Sequence, residues 1–427
     1  DGADVTDAGN VNPLVDTHLN TSTATAGEFL SWDGSDYDWA AAGADLYAAN
    51  ESSPTAQPSA TGANAVAIGD SAVAPDSNAL AGPFSRSAGS HSVALGIANN
   101  SSSYGAGGSY SISIGYQSRA MALQSVALGS SSYVDSDSSR GLALGENAFV
   151  QQCDYGTALG AGARVYGGNT ATEATAIGSS YASGTASFAA AIANNTSTYG
   201  AQGANSLAIG RRAKAAAQSA AMGYSATADG SYSLALGTYA KASAFSSIAI
   251  SAETSGYYTE ALQSNSVAIG TRAKANIRGK FAFANGAFGD NGDAQLGIFS
   301  LRSDTTDATA EALTTNKSTA GTTNQVVLPN NSAYGFTGTI IARENSAQTN
   351  DFAVWEVKGG AVRAASAATT ALGSYNINKI SESTGAAAWA IGISADTTNG
   401  AIAFTVTGEA SHSIRWVATI NTTEVTY

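Results

Sequence analysis

The chain has 427 residues, 44% of them hydrophobic, which is enough for two or three domains with buried cores. Only 12% are charged, about half the share of an ordinary globular enzyme, and the net charge of −13 argues against nucleic-acid and anionic-membrane partners, which require basic patches. The single cysteine, Cys153, excludes an intrachain disulfide framework and reads as a buried thiol, and no stretch reaches the roughly 20 apolar residues of a membrane helix.

Residues 1–50 read as an N-terminal connector. In the stretch 27–39 (GEFLSWDGSDYDW) bulky residues alternate on both sides of Asp33-Gly34, a hairpin signal. The segment from Val15 to Trp39 resembles a short module of tail-associated structural proteins of marine phages. That resemblance implies a small trimeric hairpin bundle joining one rod segment to the next. Residues 51–61, with Pro54 and Pro58, read as a linker.

From 62 to 275 a five-residue unit, small–apolar–Ala–apolar–Gly, keeps returning: AVAIG at 65–69, SVALG at 92–96, SISIG at 111–115 and SVALG at 125–129. Further copies end at Gly145, Gly160, Gly178, Gly210, Gly223, Gly237 and Gly270, and degenerate ones at Ala193 and Ser251. The base period of about 14 residues is too short for a helical repeat and fits one coil of a narrow parallel β-roll, two short strands and two turns. The repeat glycines Gly69, Gly96, Gly115 and Gly129, and those that follow, supply turns where φ is positive or a side chain would clash. Alternation puts the two large apolar residues on one face and Ala and Ser on the other. We expect the large residues to fill a thin core, and the Ala/Ser row to let neighbouring rolls approach closely, most simply as a trimer. The stretches 99–109 and 194–203 are expected to project as loops.

The unit resembles the head repeat of YadA-type trimeric autotransporter adhesins, which implies a trimeric left-handed parallel β-roll over about 62–275. Bacterial adhesins and phage fibres both use this repeat. The adhesins' membrane anchor, a short coiled-coil helix followed by four amphipathic strands, finds no counterpart in the sequence.

Residues 276–294, with Phe281, Phe283 and Phe288 among Gly and Ala, read as a neck. From 295 to 427 longer alternating strands and hairpin turns predict a C-terminal β-sandwich or jelly roll. The stretches 300–309 (SLRSDTTDAT), 354–363 (VWEVKGGAVR), 394–400 (SADTTNG) and 414–419 (IRWVAT) resemble a C-terminal domain recurrent in tail fibres of phages and prophages.

No phosphate loop, dinucleotide fingerprint or zinc-type spacing is present, so neither a cofactor nor a metal is expected. His18, His91 and His412 fall in separate segments, and the acidic cluster Asp304, Asp307 and Glu311 reads as turn capping rather than paired acids for glycan cleavage. Trp355 and Trp416 read as core, whereas Tyr334, after the Pro329 turn, and Trp389, at a strand start, are the candidate surface rings for a receptor. The whole reads as a non-enzymatic, all-β subunit of a homotrimeric phage tail fibre, in the virion and outside the cell. Its expected partners are two further copies, an upstream tail or baseplate protein and a host-surface receptor, a glycan among the candidates. Nucleic-acid binding and membrane insertion are not expected. The alternatives are a bacterial trimeric surface adhesin and a glycan-cleaving fibre or spike.

Overall fold

A computed structural model describes residues 28–32, 37–41, 56–193, 197–253, 256–345 and 348–427. Among them the chain is all β apart from two single-turn 3-10 segments, Ala367–Thr369 and Thr384–Ala386. The hairpin expected near the N-terminus pairs Glu28–Trp32 with Tyr37–Ala41. Its turn, like most of the connector, lies outside the described residues.

Each coil of the repeat region contributes two short strands to two parallel ladders. The first ladder starts at Val66–Ala67 and runs through Val93–Leu95, Val126–Leu128 and Leu142–Leu144 to Phe281–Asn285, fifteen strands among the described residues. The second, on the other side of the coil, carries twelve strands from Gly105–Ala106 to Lys274–Ala275. Registers are strict: Val126, Ala127 and Leu128 lie over Leu142, Ala143 and Leu144.

The inside of this roll is the reverse of the sequence expectation. Ala94, Ala127, Ala143, Ala158 and Ala176, the central alanines of successive units, are wholly buried, and the flanking Val, Ile and Leu face outward, half exposed. The coil is only two strands thick, so the ladders approach until methyls and hydroxyls fill most of the gap, with Val134, Val150, Val165 and Ile192 among the few branched side chains it admits. Where a serine opens the unit, it also points inward. Ser125 Oγ donates to the Ala122 carbonyl at 2.7 Å, and Ser206, Ser247 and Ser266 make the same bond three residues back, closing the turn that enters the strand.

All eleven repeat glycines, Gly69 to Gly270, have φ between +66° and +133°. At Gly129, φ is +129° and a Cβ would lie 2.6 Å from the Gly145 carbonyl oxygen of the next coil, so both conformation and stacking require glycine. The two expected loops are shorter than their sequence spans. Gly105–Ala106 and Gly200–Ala201 are rungs of the second ladder, and Asn100 Nδ2 ties the first loop back to the Ser71 carbonyl at 2.8 Å.

The stretch read as a neck continues the roll. Phe281–Asn285 lies parallel on Val267–Thr271 and then pairs antiparallel with Ala294–Thr305. The first ladder therefore passes without a break into a large antiparallel sheet ordered 294–305, 414–426, 332–344, 352–363 and 371–382. A smaller antiparallel sheet built on Ala401–Thr407 covers one face. Phe299, Leu301, Phe336, Ile340, Phe404 and the indoles of Trp355, Trp389 and Trp416 fill the space between the two sheets. At the junction with the roll, Lys280 Nζ meets Glu424 Oε2 at 2.6 Å with both side chains buried. Gln295 Nε2 donates to the same carboxylate at 2.7 Å, as does the Thr422 hydroxyl. A buried charge pair needs such satisfaction of its remaining lone pairs to be tolerated.

Candidate binding surfaces

The two outer faces of the roll differ in chemistry because different strand positions supply them. On the first ladder the outward rows read Val126, Leu142, Thr157 and Thr175 in one file, and Leu128, Leu144, Leu159 and Ile177 in the other. Leu144, Leu159, Ile177 and Leu236 are each 37–40% exposed. On the second ladder the outward residues are Arg119, Tyr133, Phe149, Arg164, Lys214, Thr227, Lys241, Glu260 and Lys274. Several of these are paired at the surface, Lys214 with Asp229 at 2.9 Å and Lys241 with Glu260 at 3.1 Å. One face is apolar and uncovered, and the opposite face is suited to water.

The apolar rows run on into the C-terminal sheet. Phe281 pairs with Ile298 and Phe283 with Leu296, and these four form one wall of a groove of about 960 Å³. Tyr375 and Asn376 stand on its other side, with Lys358, Thr337 and Asn421 along it. Gly335 lies in a middle strand, and a Cβ there would meet nothing within 4 Å, so neither a clash nor a turn demands glycine; the missing side chain opens the groove. Sequence reasoning missed this feature. Its signal was the set of glycines, Gly335, Gly338, Gly359 and Gly360, inside otherwise alternating strands.

Neither ring proposed for a receptor is at the surface. Tyr334 is 3% exposed, because in Ser332–Glu344 the even positions from 332 to 336 point into the core. Burial pushes its hydroxyl well above the ordinary tyrosine value, and the neighbouring Glu424 carboxylate adds to the rise. Trp389 is 2% exposed and packs 6.0 Å from the Trp416 ring. Both belong to the structural core, which corrects their assignment as surface anchors.

Among the described residues, neither His91 nor His412 belongs to a triad. His18 lies outside the described residues. His91 stacks on Tyr110 at 4.8 Å, with its ring nitrogens on Asn78 and Ser90, and His412 pairs with Glu344, which also holds Thr349. In the acidic cluster Asp304 pairs with Lys317, and Asp307 accepts the Thr309 N–H at 2.7 Å, as turn-capping carboxylates do. Among the described residues no group of three or more His, Cys, Asp or Glu is placed to hold a metal ion.

Comparison with known proteins matches the YadA head domain repeat at residues 60–81, 106–132, 201–220, 216–240 and 256–288. The repeat region thus carries YadA-head-like repeats folded as a β-roll. No curated protein matches the chain. Among solved structures the chain is similar to a tailspike protein of Acinetobacter baumannii bacteriophage Fri1, a capsular polysaccharide depolymerase, at 9% identity and a TM-score of 0.21, covering 85% of this chain and 71% of that one. It is also similar to the tailspike of Acinetobacter baumannii phage AM24, at 9% identity and a TM-score of 0.18, covering 85% and 67%. The expectation that the chain is not an enzyme is withdrawn, because a structure it aligns with is a depolymerase. Likeness at this level assigns no activity to the present chain.

Proposed function

We propose that the chain is one subunit of a homotrimeric, phage-tail-type fibre, in which the roll is a stiff shaft and the C-terminal sheets meet the host surface. One observation carries this reading: the double row, mostly Val, Ile and Leu and interrupted by Thr157, Thr175, Ala190 and Ala220, that follows one roll face from Val66 to Phe283, with mostly charged and polar residues on the opposite face. A contiguous exposed apolar strip of this length marks an interface. Copies related by a rotation axis along the rod bury it on every subunit equally, and three is the number the repeat's resemblance implies. The C-terminal groove continues the same face through Phe281, Phe283, Leu296 and Ile298, so on this reading neighbouring copies close it, not a receptor. The N-terminal connector joins an upstream tail or baseplate protein. Three identical tips multiply a weak affinity for a host receptor through effective concentration. The C-terminal resemblance favours a phage particle over a bacterial surface adhesin.

The test is adsorption. Purified full-length protein is expected to label the cells to which its parent particle adsorbs and to block that adsorption. Absence of both labelling and block overturns the adhesive role, and reducing sugar released during binding would add cleavage to it.

A further inference from the structure

The solvent-facing ladder of the roll carries a feature that a shaft does not need. Over four consecutive levels its outward residues are Arg119, Tyr133, Phe149 and Arg164, stacked by the parallel register, and Tyr104, just before the Gly105 that pairs with Arg119, flanks that end. The Arg119 guanidinium lies between two phenol rings, 4.5 Å from the centroid of Tyr133 and 5.6 Å from that of Tyr104. Its Nε is buried and has no hydrogen-bond partner. Arg164 lies 5.0 Å from the Phe149 ring. Among the described residues neither arginine has a carboxylate within 4 Å, whereas Lys214, Lys241 and Arg272 further along the roll each do. In a chain of net charge −13, these two arginines are fixed on aromatic rings without an anion, as Arg140 on Tyr155 and Arg211 on Tyr224 also are, but only here do two of them bracket stacked rings in one file. Asp135, a buried acid two residues beyond Tyr133, is occupied by the Ser138 hydroxyl and the Gln152 N–H, while Asp137 is exposed at the turn beyond.

Tyr104, Arg119, Tyr133 and Phe149 line a shallow trough of about 480 Å³, completed by Gln117, Ser131 and Gln151, and Arg164 lies against Phe149 beyond its lining. Aromatic faces beside amides and a hydroxyl suit a sugar ring, which offers C–H surface on one side and hydroxyls around its edge. Guanidinium groups held planar and pre-ordered suit carboxylates. Three steps of the ladder separate Arg119 from Arg164, about 14 Å at roughly 4.8 Å per step. That leaves Tyr133 and Phe149 as a platform between two cationic ends.

We propose that this strip is a binding site for a carboxylated polysaccharide. Two acidic sugars of one chain are held by Arg119 and Arg164, and the intervening sugars stack on Tyr133 and Phe149. The site lies on the face opposite the apolar rows, so it is open whether or not the roll trimerises, and the two readings fail separately.

The experiment is calorimetric titration of the full chain with hexagalacturonate and with hexasialic acid, using maltohexaose as the neutral control. At least one acidic chain is expected to bind saturably, more weakly at higher salt, and maltohexaose is not. Arg119→Ala is expected to lower affinity by about tenfold or more, the scale of a lost charged hydrogen bond. Arg119→Lys keeps the charge but not the stacked plane and is expected to recover only part of it. Lys214→Ala, on the same face but already paired, is expected to change nothing. Each variant is accepted only if its melting temperature matches the parent. Binding of neither acidic chain, equal binding of maltohexaose, or undiminished binding by both Arg119→Ala and a folded Tyr133→Ala variant overturns the assignment.

Discussion

Ala143 and Leu144 are neighbours with opposite fates, one sealed inside the roll and the other on its apolar face. Ala143→Leu forces three carbons into a gap sized for a methyl and is expected to cost about 1–3 kcal/mol or to prevent folding, read by urea unfolding. Gly129→Ala should be at least as damaging, since the conformation disfavours any side chain and the Gly145 carbonyl blocks the space. Cys153 is wholly buried, and burial pushes its thiol above the ordinary range. It should resist a thiol reagent in native protein and react once the roll is unfolded; prompt reaction in the native state would contradict its placement. At this scale the repeat was fully legible, including where glycine is obligatory. Which of its two faces points inward was not. Alternation separates Ala from Val and Leu but does not say which set is enclosed; that follows from the thickness of a two-strand coil, a property of stacked copies rather than of one unit.

At the level of elements, the roll and the C-terminal sheets should respond differently to acid. Burial pushes the carboxyls of Asp293, Glu344 and Asp396 up, but hydrogen bonds outweigh it and hold all three below their ordinary values. The donors are the backbone N–H groups of Gly289, Asp290 and Phe288 for Asp293, Thr349 and His412 for Glu344, and Asn399 and Thr398 for Asp396. A carboxylate depressed in the fold contributes stability above its unfolded pKa, near 4, and loses it as pH falls through the folded value. In the roll, burial raises Asp135, the opposite sign. The C-terminal sheets should therefore loosen first below about pH 4, seen as a change in fluorescence from Trp355, Trp389 and Trp416 while the roll's far-ultraviolet signal persists. The two parts are joined through Lys280 and Glu424. Removing one charge, as in Lys280→Met, should cost about 3–5 kcal/mol, and replacing both with apolar residues should recover most of it. The alternating strands of the C-terminal region could be read from sequence. The junction could not, because Phe281–Asn285 keeps the apolar alternation of the repeat without its final glycine and so looked like a neck. Tyr334 and Trp389 were misplaced for a related reason: a turn or strand start in sequence does not show which face the next layer covers.

For the whole molecule, the apolar face gives the assembly a handle that leaves the individual fold intact. Leu144 and Leu236 sit on it, each more than a third exposed in the single chain. Leu144→Asp and Leu236→Asp together should barely disturb an isolated roll, as surface substitutions seldom exceed about 0.5 kcal/mol. In the proposed trimer they would bury charges along the contact and should dissociate it or lower its melting temperature sharply. Fold and repeat were legible at this scale, but the row of residues that the roll encloses was not, and with it the face that the proposed trimer would share.

The most direct measurement is the absolute mass of the native chain by light scattering. The account predicts three times the 42.5 kDa of one chain, falling toward a single chain in the doubly substituted variant. A native protein that is fully folded and monodisperse at 42.5 kDa would contradict the shared apolar face, and with it the fibre.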